Sequence, residues 1–140
     1  MTSPAVPEVL RTQFFTVSSG LDADELFQLM RDFEASREGH ASGLCWEITA
    51  DPDDWGADCL VVGVRGDVGA LEWYGATSCV PASDLNADGV EYYTFDGHVR
   101  AVHPGAEVDV ETVRRALREF LTTGEQPTSV AWREFDPYQL

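Results

Sequence analysis

The residues in this chain best suited to chemistry are carboxylates. Asp84, Asn86, Asp88 and Gly89 stand at the spacing that opens a twelve-residue calcium loop, where alternate oxygen ligands surround a hard cation. The pattern then breaks. Its twelfth position is Phe95, where a bidentate Glu is required, and its apolar eighth position is Glu91. An acidic turn held by Asx hydrogen bonds fits the stretch better. Asp51, Asp53, Asp54 and Asp58 make a second cluster, able to gather a divalent ion or to stay solvated in a loop. Trp55 sits among them. A Trp beside acids in a turn is either a lid on the core or a binding anchor, because Trp dominates interface hot spots.

Other reactive side chains lack company. His40, His98 and His103 show no HxxxH spacing and no neighbouring Cys, so they make a poor metal set. No GxSxG or Cys-Gly motif supplies a nucleophile. Gly63-Val64-Arg65-Gly66 lacks the GK[ST] ending and the helix start of a phosphate loop. Cys45, Cys59 and Cys79 are odd in number and form no CxxC pair, which predicts free, buried or half-buried thiols. A pair of catalytic carboxylates stays open as an alternative, because sequence never shows their separation. No catalytic residue, metal site or cofactor is assigned.

Charge points elsewhere. The 140 residues carry 25 Asp and Glu against nine cations, all Arg, for a formal net charge of −16. Between Glu38 and Val99 there are twelve acids and one cation, Arg65, so the excess is concentrated in the middle of the chain. Such a field repels nucleic acid and anionic lipid and favours a basic partner; it also keeps a protein soluble. The basic-aromatic interleaving of single-strand binders is missing. Hydrophobic residues make up 44%, a globular composition with one core's worth of chain. Met1 to Glu8 lacks the cationic and apolar regions of a secretory signal, and no apolar run approaches ~18 residues. The protein is therefore expected in the cytoplasm, with no membrane or direct nucleic-acid partner; its oligomeric state is left open.

The elements that must position these residues can be read by periodicity. Residues 1–9 read as a flexible N-terminal arm, and residues 10–140 as one domain. Leu10 to Val17 reads as a strand. Asp22 with Glu25 forms a capping box, and Leu21 with Leu26 a hydrophobic staple, opening a helix whose stripe is Leu26, Leu29, Met30 and Phe33 and whose stop is Gly39. Leu44–Thr49 and Cys59–Arg65 read as strands, and Gly66-Asp67 turns the chain into Val68–Tyr74. Val90–Phe95 returns through a type I′ turn at Asp96-Gly97 along His98–Val102. Asp109 caps a second helix with buried stripe Val110, Val113, Ala116, Leu117, Phe120 and Leu121; Gly124 ends it and Pro127 blocks its return. Ser129–Phe135 is a last strand. Hairpins favour an α+β fold: a mainly antiparallel sheet with two principal helices packed on one face.

Acids also interleave with aromatics. Glu72 and Tyr74 share one face of their strand, as do Glu91, Tyr93 and Phe95. Either that face is core, or it is an exposed surface of Tyr and carboxylate suited to a cationic cleft.

The last half of the chain resembles a known family. Glu107 to Leu121, then Gly124-Glu125-Gln126-Pro127 and Val130-Ala131-Trp132, resemble the Imm1 family of bacterial immunity proteins, as does Gly69-Ala70-Leu71-Glu72-Trp73-Tyr74-Gly75. The N-terminal half matches in layout. The resemblance implies an α+β antitoxin, made beside a secreted polymorphic toxin, often a nucleic-acid deaminase, and blocking it by direct binding. Charge, and not the resemblance, nominates the contacts with such a basic toxin domain: Asp51, Asp53, Asp54, Trp55, Asp84, Asp88 and Glu91. The alternative is a small acidic metal-binding module or a carboxylate-based enzyme.

Overall fold

Each helix begins at the residue whose side chain can satisfy its first free N–H groups. The structure, a computed structural model, describes residues 8–10, 14–16, 22–36, 43–49 and 57–137. Asp22 accepts from the Glu25 N–H at 3.0 Å and starts α1 (Ala23–Ala35). Asp109 accepts from the Thr112 N–H at 2.8 Å and starts α2 (Val110–Thr123). Gly124 ends α2 with φ +71°, and its N–H reaches the Phe120 carbonyl at 2.8 Å. The α1 stop expected at Gly39 and the staple residue Leu21 lie outside the described residues. Helix α1 buries Leu26, Phe27, Met30 and Phe33, while Leu29 stays 38% exposed. The helix is turned so that the larger Phe27 enters the core in place of Leu29.

Nine strands are described, in one mixed and mainly antiparallel sheet: β1 (Phe14–Thr16), β2 (Gly43–Thr49), β3 (Cys59–Arg65), β4 (Val68–Tyr74), β5 (Ser78–Pro81), β6 (Val90–Tyr93), β7 (Val99–Val102), β8 (Glu107–Asp109) and β9 (Trp132–Glu134). The main path runs β7-β6-β2-β3-β4-β5-β9. Strand β2 is parallel to β6 at its start and to β1 at its end; β4 carries β8 and then β5 along its second edge. Four expectations are corrected. Glu8–Leu10 is a 3-10 turn ahead of β1. The last strand is confined to Trp132–Glu134. Strands β5 and β8 were not foreseen. Asp96-Gly97 is not a type I′ turn, which needs positive φ at both residues, because Gly97 alone has it. Instead residues 95–97 form a three-residue connection, with Thr94 N–H donating to the His98 carbonyl and Gly97 N–H to the Thr94 carbonyl.

The sheet separates two cores. On one face both helices set Leu26, Met30, Phe33, Val113, Leu117 and Phe120 against Leu44, Trp46, Ile48, Leu60, Val62, Leu71 and Trp73. Phe120 meets Trp73 edge-on with ring centroids 5.4 Å apart. On the other face a smaller cluster forms from Cys45, Val61, Ala70, Val80, Tyr92, Val102 and Ala106. Tyr92 fits there because Gly43 and Gly63 leave room: a Cβ at either would come within 2.7 Å of its ring.

Candidate interaction surface

The second face holds the most concentrated buried polar chemistry described. Glu72 and Glu107 are 1% and 3% exposed. Alternation along β4 and β8 puts both carboxylates under the sheet, away from the helices. Glu72 accepts from the Tyr74 hydroxyl at 3.0 Å, the His103 backbone N–H at 2.8 Å and faces His103 Nδ1 at 2.7 Å. Glu107 accepts from Arg65 Nε and Nη2 and, at 2.7 Å, from the Tyr92 hydroxyl. Arg100 pairs with Glu47 nearby on the same face. Burial, and next the bonded Glu107, push the Tyr92 hydroxyl far above the usual tyrosine range. Burial also pushes the Cys45 and Cys59 thiols up to about 12, and all three cysteines are free, as expected. These carboxylates are acceptors for the fold's own donors, each oxygen already engaged. Of the two readings that alternation left open for the face of Glu72 and Tyr74, the buried one holds: Glu72 is interior and Tyr74 half-buried. Among the described residues no group of three or more His, Cys, Asp or Glu could hold a metal ion.

The nominated contact residues fall elsewhere. Asp51, Asp53, Asp54 and Trp55 lie outside the described residues. Asp84 and Asp88 are exposed on the loop joining β5 to β6, and their carboxylates make no hydrogen bond or ion pair among the described residues. Glu91 is exposed on β6, its carboxylate 3.4 Å from the Tyr93 hydroxyl. Tyr93 and Phe95 on that same side pack against the helix-face core, so this aromatic stripe is largely core edge.

The loop has a polarity inversion that charge reading missed. Leu85 is 60% exposed while its neighbour Asn86 is 7% exposed. Holding a leucine in water forgoes roughly 1.5–3 kcal/mol relative to burying it. Asn86 enforces that choice. Its Nδ2 donates to the carbonyls of Asp88 at 2.9 Å and His103 at 3.0 Å, and its Oδ1 accepts from the Glu107 N–H at 2.9 Å. Its carbonyl takes the Gly105 N–H. The stretch that opens like a calcium loop thus spends its central amide on pinning the loop to the β7–β8 connection. A leucine between Asp84 and a turn-forming Asn was the available sequence signal.

Beside this loop is an open depression of about 490 Å³. Its walls come from the β5–β6 loop, the start of α2 and the approach to β9. Asp84, Leu85 and Asp109 line it; Asp88 and Glu91 do not.

The sequence profile of the family described as Immunity protein Imm1 matches residues 16–134. The chain belongs to the Imm1 family. A search among curated proteins returned no match. In this Imm1 protein the matched region runs from the last residue of β1 to the last of β9, so the N-terminal half belongs to it as well as the helix-and-turn signature of the C-terminal half. Membership makes the chain an immunity protein by family, and both sheet faces and the β5–β6 loop lie inside the match. No helix among the described residues is long and apolar enough to cross a membrane.

Proposed function

We propose that this chain binds and blocks a cognate secreted toxin, one that acts on nucleic acid as a deaminase or nuclease does, and that it works as a binder and not as an enzyme. It does so in the cytoplasm of the cell that makes it, as one domain over residues 10–140. The observation that carries the proposal is the β5–β6 loop of an immunity-family protein: two exposed carboxylates, Asp84 and Asp88, without partners among the described residues, around an exposed Leu85. An enzyme that holds nucleic acid needs a basic cleft for phosphates, and an acidic surface is attracted to that cleft at long range. Glu91 and the acidic stretch Asp51, Asp53, Asp54 and Trp55 complete the proposed contacts.

The test uses the toxin domain encoded beside this chain, with inhibition of its activity and association rate measured at several salt concentrations. The triple variant Asp84→Lys, Asp88→Lys, Glu91→Lys is expected to slow association at least tenfold at low salt and to flatten the salt dependence. Unchanged association and inhibition in that variant would show that the contact lies elsewhere.

A further inference from the structure

We propose that the depression beside the β5–β6 loop seats one extended segment of the toxin, in which an apolar side chain packs on Leu85 and a neighbouring Lys or Arg reaches Asp84 and Asp109. This surface presupposes the toxin-binding function proposed above, so the test separates the two.

Three observations fix the chemistry of the occupant. First, among the described residues the lining contains the two carboxylates of Asp84 and Asp109 and no cation. Asp109 is partly used, since it accepts from the Thr112 N–H and hydroxyl, but Asp84 has no partner among the described residues. A cationic side chain finds complementary charge there, and an anionic one is repelled. Second, the same lining carries apolar surface from Leu85, Val108 and Val130. A partner that is only charged would leave this surface wet; an apolar side chain next to the cation covers it. Third, the wall is stiff. Ala82 N–H bonds the Ala131 carbonyl at 2.9 Å, Leu85 N–H bonds Ser83 Oγ at 3.1 Å, and buried Asn86 ties the loop to the β7–β8 connection. Leu85 is therefore presented in place and not free to fold inward, which lowers the ordering cost of binding. The depression is open to solvent, so a segment of a partner chain can lie in it, unlike the enclosed pocket that surrounds a small molecule.

The experiment uses the full chain and the toxin domain encoded beside it. Hydrogen exchange with and without toxin is expected to show protection at Ser83–Leu85 and at Val130–Ala131. Leu85→Ser is expected to raise the dissociation rate at least tenfold with the association rate within about twofold, since an exposed leucine adds contact and not steering. Asp84→Lys is expected to slow association instead. Both side chains are exposed, so melting temperatures should match the parent and exclude misfolding. Toxin binding with protection confined to other segments, and with both variants unaffected, overturns this surface and leaves the immunity function standing. No binding overturns both. If the isolated chain is a dimer by light scattering and Leu85→Ser makes it a monomer, the occupant is a second copy and the toxin assignment is overturned.

Discussion

The two faces of the sheet are built on opposite principles. Beneath the helices the contacts are apolar: Trp46, Leu60, Leu71, Leu117 and Phe120 are almost fully buried against one another. On the other face the small apolar cluster is threaded by Glu72, His103, Tyr92, Glu107 and Arg65. The helix face is specified by volume, because non-directional packing tolerates any neighbour of the right size. The second face is specified by pairing, because an unmatched buried oxygen or hydroxyl is costly. That difference explains why so acidic a chain places two glutamates inside. Each is matched by donors that only one arrangement of β3, β4, β6, β8 and the β7–β8 connection brings together. It also explains the loop above them: the network that satisfies Glu107 includes Asn86, and Asn86 is what holds Leu85 outward.

Breaking the helix face should have the largest effect. Trp46→Ala removes a side chain 1% exposed, along with its Nε1 bond to the Leu10 carbonyl. A loss of about 3–5 kcal/mol is expected in denaturant unfolding, since the cavity cannot collapse between sheet and helices. A loss under about 1 kcal/mol would mean that the face is not packed as described.

The second face should behave differently under double substitution. Glu107→Leu leaves the Tyr92 hydroxyl buried without its acceptor, while Arg65, whose side chain is 37% exposed, regains water. About 2 kcal/mol is expected to be lost. Adding Tyr92→Phe should recover roughly half of that, because removing both partners of a buried bond costs less than removing one. No such rescue is expected around Trp46. Additive losses at Tyr92 and Glu107 would show that the two faces obey the same rule.

The same contrast decides what the sequence could reveal. Helix caps at Asp22 and Asp109, the stop at Gly124 and the β3–β4 hairpin at Gly66 depend on residues within one turn of each other, so spacing exposes them. The helix-face stripe of α2 follows from periodicity. The second face does not: Glu72 meets His103 and Arg65 meets Glu107 across the sheet, and nothing local distinguishes a buried Glu from the exposed Glu91. Short β8 was hidden because it exists by pairing with β4. At the proposed surface, charge nominated Asp84 and Asp88, but Leu85 was passed over because its exposure is set by Asn86 bonding to distant backbone. The stretch from Asp51 to Trp55 stays a matter of sequence, as it lies outside the described residues.

A smaller, pH-dependent effect sharpens the comparison on the helix side. Glu119 accepts from the Thr128 N–H and hydroxyl and from the Ser129 N–H, fastening the turn after α2. Burial works to raise its pKa, but the hydrogen bonds from Thr128 and Ser129 outweigh it and hold the carboxyl below its ordinary value of 4.5. A folded pKa below the unfolded one means that the stabilisation is fully present above about pH 4.5 and is lost as pH falls through the lower folded value. Glu119→Gln should therefore cost about 1 kcal/mol at pH 7, a modest figure because solvent screens this partly exposed group. The gap in melting temperature between parent and variant should narrow as pH falls below about 4.5. A gap that keeps its size from pH 7 to pH 3 would mean that the carboxylate's charge plays no part in fastening the turn, and that shape alone holds the helix layer even at its rim.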